Sequence, residues 1–215
     1  MIKVGIVGAA GFSGMELIRI LSLHPQVTIS CITSRTHKGK KLSDVFSSFF
    51  DLDLEFSDCN KENLAACELV FFATPNLIAM EYVPYLLEKG VKVIDLSADF
   101  RLKNVDSWEQ YYNSKHSCPE LVARSVYGLS EVYSEQIASA DLVANPGCYP
   151  TAVQLGLWPV LENNLIQNLS SKVLGNTIPY IKKSMLENFE LVLPSLIEQK
   201  DRKSTRLNSS HSQIS

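Results

Sequence analysis

No Cys-x-x-Cys pair, no apolar run of membrane-spanning length and no internal repeat occurs among these 215 residues. Each absence removes a class of protein. The five cysteines, Cys31, Cys59, Cys67, Cys118 and Cys148, are an odd set without metal-knuckle spacing, so neither a disulfide framework nor a bound metal is expected, and a reducing compartment suits them. Met1 runs straight into IKVGIVG, which leaves no space for a basic segment, an apolar segment and a cleavage site. The chain therefore reads as soluble and cytoplasmic, with no membrane as partner. An excess of positive charge is also missing where it would matter. Residues 1–167 carry 13 Lys and Arg against 19 Asp and Glu, a balance of −6, and only the remainder is basic, at +3. An acidic body argues against nucleic acid as a partner.

What the chain does have is apolar residues, 46% of the total, and these come in runs of strand length separated by stretches of helical periodicity. That alternation is the mark of successive βαβ units and a parallel sheet. Strands are expected at 2–8, 27–33, 69–74, 91–96 and 141–145. The runs VGIVG, LVFFAT and VKVIDL are apolar on both alternating faces, as strands covered by helices on both sides must be. Helices are expected at 12–23, with Leu17, Ile18, Ile20 and Leu21 as its stripe, and at 76–88, ending at Gly90. Residues 99–125 have mixed patterning and read as loop plus a short helix. The fold class is α/β, a Rossmann-like doubly wound parallel sheet.

The first strand ends in VGIVGAAGFSG, where Gly8, Gly11 and Gly14 are spaced three apart. Glycines in a strand-to-helix turn let backbone N–H groups approach a pyrophosphate at a helix N-terminus. Three spaced glycines alone are weak, and a merely structural turn is the alternative. The strand before them and the amphipathic helix after them favour dinucleotide binding.

The second strand ends in CITSRTHKGKK. An NAD-binding sheet places Asp or Glu there for the ribose 2′-hydroxyl, whereas a 2′-phosphate calls for cationic and hydroxyl donors. Ser34 and Arg35 supply the latter and point to NADP as the cofactor. The competing reading of Arg35 to Lys41 is a solvated basic loop.

Cys148 follows the last expected strand, at the sheet edge where ligand sites gather, and Pro150 suits the first position of the next helix. A thiol at a helix start meets the positive end of the dipole, which favours the thiolate a nucleophile needs. Gly147 beside it would permit close approach of a substrate. The alternative is a small buried hydrophobe, a description that Cys31 inside its strand fits better. The residues alone leave the two readings level.

The motifs GIVGAAGFSGMELIRIL, FFATPN, VIDLSADFRL, VYGLSE and ANPGCYPTAVQLGL together resemble N-acetyl-gamma-glutamyl-phosphate reductase, the NADPH-dependent enzyme of arginine biosynthesis, over about residues 1–166. The resemblance implies that Cys148 attacks an acyl phosphate, expels phosphate and carries a thioacyl group that hydride from NADPH releases as a semialdehyde. By the same matching, Gly8, Gly11, Phe12, Ser13 and Gly14 would cradle the pyrophosphate, Ser34 and Arg35 would meet the 2′-phosphate, and Thr74 and Pro75 would lie towards the nicotinamide. Ser97 and Arg101 are candidates for the substrate's phosphate or carboxylate, with Arg101 equally able to pair with Asp99 or Asp106. Asn145 and Glu131 fall in matching motifs and are carried for local hydrogen bonding near the thiol, Asn145 also as a substrate contact. A homo-oligomer is expected of the full-length protein.

The chain departs from the family in two ways. The family's catalytic histidine has no counterpart, because His24, His37, His116 and His211 all fall outside its motif. From about residue 168 the pattern is lost. The expected organisation is a cofactor domain at 1–147, the start of a truncated catalytic α+β domain at 148–167, a divergent segment at 168–200 with an amphipathic helix near 180–199, and a disordered, artefactual tail at 201–215. The expected activity is cofactor binding with little turnover. Alternatives are an aspartate-semialdehyde dehydrogenase-like or carrier-protein-linked reductase, a non-catalytic NADP-binding module with Cys148 as redox reporter, and a fragment that does not fold stably.

Overall fold

All five expected apolar runs form strands of one parallel sheet, and two further strands join it. In the computed structural model, which describes residues 1–162 with side chains through residue 159, the strands are β1 (Ile2–Val7), β2 (Val27–Thr33), β3 (Phe56–Ser57), β4 (Leu69–Phe72), β5 (Lys92–Asp95), β6 (Val126–Tyr127) and β7 (Leu142–Ala144). Their order is β3-β2-β1-β4-β5-β7-β6, and every pairing is parallel. The direction of winding reverses between β1 and β4, which opens a crevice at the carboxyl ends of those two strands. This is the expected Rossmann-like sheet. β3 and β6 escaped the sequence reading because two residues are too few to show a period of two.

Helices α1 (Phe12–Ser22), α2 (Leu42–Val45), α3 (Lys61–Ala65), α4 (Ala79–Glu88), α5 (Val105–Tyr112), α6 (Pro119–Arg124) and α7 (Ser130–Ser139) lie between the strands, and α8 (Cys148–Glu162) follows β7. Alternation along β1 and β4 divides the core in two. Val4 and Ile6 pack with Ile18 of α1, Leu42 and Phe56, while Val7, Val70 and Phe72 pack with Leu64, Val83, Leu86 and Val93. Both faces are therefore apolar and both are covered, which explains the unbroken apolar runs.

Three expectations shift. The second helix begins at Ala79 rather than 76, which leaves Asn76, Leu77 and Ile78 in the preceding turn. Residues 99–125 contain two helices, not one; α5 buries only Trp108 and is capped by the Asn104 carbonyl, which accepts from Ser107 N–H at 2.8 Å. One buried residue in eight gives no period to read. Trp108 anchors the region by donating its indole N–H to Ala98 O at 2.9 Å. Third, α8 starts at Cys148 itself, so Pro150 lies at its third position, not its first. Proline is tolerated there because the first N–H groups of a helix have no partner within it.

The chain divides into two units, Met1–Thr151 and Ala152–Ser215. The sheet and every candidate site residue belong to the first. The expected divergent segment, its helix and the tail lie outside the described residues.

Gly8 and Gly14 carry the tightest turn of the sheet. Gly8 has φ +80°, and a Cβ on it would come within 2.4 Å of Ala73 O; a Cβ on Gly14 would come within 2.5 Å of Gly8 O. A Cβ on Gly11 would meet nothing closer than 3.5 Å. Gly8→Ala should therefore destabilise the fold by about 2 kcal/mol or more, and Gly11→Ala by less than about 1 kcal/mol, as read from urea denaturation midpoints.

Candidate functional site

The hydrogen-bond ladder of the sheet does not stop at the last strand residue. Ala9 N–H donates to Thr33 O, Ala73 N–H to Val7 O, Leu96 N–H to Phe72 O, Asn145 N–H to Asp95 O and Gly128 N–H to Ala144 O, at 2.8–3.0 Å. The first residues after β4, β5, β6 and β7 and the second after β1 are thus held side by side along one edge. Gly8, Ser34, Thr74, Ser97, Arg101, Asn145 and Cys148 all follow these strand ends. The edge runs from the glycine turn to the thiol across three strand spacings, about 14 Å.

At the β1 and β2 end, Gly11 is the N-cap of α1, with Phe12 and Ser13 exposed in its first turn. Gly11 is exposed, so a pyrophosphate has access to the free N–H groups of the helix start. Ser34 is fixed by its N–H to Ser57 O and accepts from His37 N–H at 3.3 Å. Within the basic loop Lys38 pairs with Asp58 and Lys41 with Asp53. Arg35 is exposed and has no ion pair among the described residues.

The β4 turn abuts the glycine turn, since a Cβ on Gly8 would also touch Thr74 Cγ2 at 3.2 Å. Thr74 Oγ1 is buried and has no hydrogen-bond partner. An orphaned hydroxyl beside a glycine cradle fits a group that is to be bound there. The residues present thus suit a dinucleotide lying across the β1–β4 crevice.

The β5 end is a buried acidic network that the sequence reading missed. Asp95 accepts from Ser97 N–H at 2.9 Å and Ser97 O–H at 2.7 Å, and Ser97 Oγ accepts from Asp99 N–H at 3.2 Å. Ser97 is 5% exposed, its N–H and O–H both given to the Asp95 carboxylate. Arg101 pairs with neither Asp99 nor Asp106. Its Nε donates to Asn145 O at 2.7 Å and one terminal nitrogen to Leu96 O at 2.5 Å, bridging the β5 and β7 loops. The other terminal nitrogen would lie 3.4 Å from a Cβ on Gly147 and so faces the cysteine loop.

Cys148 is exposed, while Cys67 and Cys118 are buried and Cys31 and Cys59 partly so. Its turn is closed by the Thr151 N–H and O–H, which both donate to Gly147 O at 3.0 and 2.9 Å. Asn145 Nδ2 donates to Pro146 O at 3.1 Å, which stiffens the same loop. Glu131 is exposed in the first turn of α7. Of the three described histidines, two are hydrogen-bonded elsewhere, and His37 Nδ1 is buried without a hydrogen-bond partner. His24 Nδ1 accepts from Gln26 N–H, the His37 ring lies 5.9 Å from that of Phe56, and His116 is buried with Nδ1 accepting from Cys118 N–H and Nε2 donating to Asp99 O. His211 lies outside the described residues. Among the described residues no cluster of His, Cys, Asp and Glu could hold a metal, and no helix is long and apolar enough to cross a membrane.

A winding reversal flanked by a glycine turn, with an exposed thiol further along the same edge, defines a dinucleotide-binding α/β domain. Residues 3–140 match the family model described as semialdehyde dehydrogenase, NAD binding domain, and the chain belongs to that family. It is similar to N-acetyl-gamma-glutamyl-phosphate reductase of Nitrosospira multiformis, 54% identical over 76% of this chain and 48% of that protein, and of Acinetobacter baylyi, 55% identical over 75% and 47%. The chain spans about half the length of these curated relatives. The fold is also that of aspartate semialdehyde dehydrogenase II from Vibrio cholerae, complexed with ASA, at TM-score 0.56 and 20% identity over 75% of this chain and 47% of that one. The Candida albicans aspartate semialdehyde dehydrogenase with NADP gives TM-score 0.55 and 19% identity, with 75% and 47% covered.

Burial pushes the Asp95 carboxyl up to about 7, against the lowering effect of the Ser97 bonds. Its unfolded value is near ~4, so between about pH 4 and 7 the folded state binds the extra proton and stability falls as pH rises, levelling off above 7. Asp95→Asn removes the buried charge. It should match the unaltered chain in thermal stability at or below about pH 4 and exceed it at pH 8 by on the order of a few kcal/mol, as read from paired melting curves.

Proposed function

We propose that this chain is the cofactor-binding and nucleophile-bearing part of an NADPH-dependent reductase that converts N-acetyl-gamma-glutamyl phosphate to the semialdehyde. The observation that carries the reading is the exposed Cys148 at the start of α8, next to the Gly147 that Arg101 faces and on the same sheet edge as the glycine turn. Relatives of that name at 54 and 55% identity support the substrate class.

The chemistry assigned to the residues is as follows. Cys148 Sγ, as thiolate, attacks the acyl carbon; a C–S bond forms, the bond from that carbon to the phosphate oxygen breaks, and inorganic phosphate leaves. The Arg101 nitrogen facing Gly147, together with Asn145, orients the anionic substrate over the sulfur. Gly8, Gly11, Phe12, Ser13 and Gly14 receive the pyrophosphate on backbone N–H groups, Ser34 and Arg35 take the 2′-phosphate, and Thr74 and Pro75 border the nicotinamide. When bound, NADPH supplies the hydride that releases the acyl group as aldehyde. None of the described histidines falls in the motif that would supply an acid or base at the sulfur, so acylation outruns turnover in this chain.

Arg35→Ala should weaken NADPH binding by about tenfold or more, the loss of a charge-assisted contact, and leave NADH binding within about twofold, measured by the change in nicotinamide fluorescence. Equal losses for both cofactors would remove Arg35 from the 2′-phosphate site.

Burial raises the thiols of Cys31 and Cys59 and pushes that of Cys118 up to about 11. Cys67 is buried, so iodoacetamide at neutral pH should label the exposed Cys148 faster than the other four cysteines by roughly an order of magnitude or more, with peptide mass spectrometry as the readout. The acyl phosphate should leave a stoichiometric thioester mass on Cys148 that Cys148→Ala abolishes. Uniform slow labelling with no adduct would leave a non-catalytic cofactor module.

A further inference from the structure

The turn after β4 contains the strangest backbone of the described chain. Leu77 has φ +77°, a left-handed conformation that leucine seldom adopts and that persists only where surrounding contacts impose it. Those contacts come from the β5 loop. Leu77 N–H donates to both carboxylate oxygens of Asp99, at 3.0 and 2.9 Å, and Ala98 N–H donates back to Asn76 Oδ1 at 3.0 Å. Two bonds of opposite direction thus fasten residues 76–77 to residues 98–99. The leucine side chain contributes little to this, being 41% exposed.

Asp99 is itself fully buried and held from several sides. Its N–H is bound to Ser97 Oγ, and its carbonyl accepts from the His116 ring. Burial raises the Asp99 carboxyl above the ordinary carboxylate range, and the Leu77 amide is the foremost of the contacts opposing that rise. A buried carboxylate tied to a strained amide is a costly arrangement unless the position of the turn matters. The turn in question carries Thr74, with its unpartnered buried hydroxyl, directly against Gly8.

We propose that Asp99 is a positioning residue for the nicotinamide half of the cofactor: by holding Leu77 left-handed it fixes the Thr74–Pro75 turn against the glycine turn and so shapes one wall of the β1–β4 crevice. The inference rests on the NADPH reading above and adds to it a residue that touches neither cofactor nor substrate. Removing the carboxylate charge frees the turn to relax towards an ordinary negative φ, which moves Thr74 away from Gly8. The adenosine and pyrophosphate contacts, made by the turn after β1 and the loop after β2, are untouched.

The test compares two ligands on the full 215-residue chain: NADPH, and 2′-phospho-ADP-ribose, which keeps the phosphates and lacks the nicotinamide. Calorimetric titration of Asp99→Asn should show NADPH weakened about tenfold and 2′-phospho-ADP-ribose unchanged within about twofold. Leu77→Val, whose branched side chain resists a positive φ, should reproduce that selective loss, and Leu77→Asn, which tolerates it, should not. The leucine pair decides the matter even if Asp99→Asn fails to fold. Equal weakening of both ligands, or no difference between Leu77→Val and Leu77→Asn, overturns the positioning role while leaving cofactor binding intact. Failure of the unaltered chain to bind either ligand overturns the cofactor reading itself, and this inference with it.

Discussion

A side chain on Gly8 would reach within 2.4 Å of the Ala73 oxygen, and the absence of one is what lets β1 and β4 lie together at their carboxyl ends. These are the strands between which the winding reverses. If they were pushed apart, the crevice would widen just where a pyrophosphate must meet the start of α1. The same closeness brings Thr74 into the wall of the crevice. The glycine turn is thus less a flexible loop than a wedge position whose emptiness the rest of the edge is built around.

From that point the edge is propagated by backbone hydrogen bonds. Each strand end donates to its neighbour, from Ala73 to Val7, from Leu96 to Phe72 and from Asn145 to Asp95. Side chains then cross-brace the loops beyond: Asp99 and Asn76 between β4 and β5, Arg101 between β5 and β7. Because every brace uses a backbone group on at least one side, the arrangement depends on chain geometry more than on the identity of exposed side chains. That is consistent with a fold shared at about 20% identity with aspartate semialdehyde dehydrogenase II.

The sheet was legible in the sequence because a strand covered on both faces has to be apolar throughout, and five of the seven strands are long enough to show it. β3 and β6 were not, since two residues carry no period. The tight turn after β1 was legible in its glycines, whereas the residues around Cys148 left an exposed nucleophile and a buried thiol level, and the structure shows the residue exposed. The orientation of Ser97 was not legible. A serine within SADFR has no periodicity to say which way it faces, and only the coordinates show it turned in towards Asp95. The Asp95 and Asp99 carboxylates carried a signal that went unused, an acid closing an apolar run, which is where a buried acceptor is needed for the N–H groups of the next loop.

Arg101 shows why this last class of residue is hard to assign from sequence. A guanidinium near a candidate nucleophile suggests anion binding, and here two of its nitrogens are spent on the carbonyls of Leu96 and Asn145. The third faces Gly147. Those two bonds fix the plane of the guanidinium, so that the remaining nitrogen presents its donors in a set direction towards Gly147, the residue before Cys148. A lysine could not do this, because its single nitrogen would have to choose between bracing the loops and meeting a ligand. Structural and chemical roles are therefore not alternatives at this position; the bracing is what would make the contact directional.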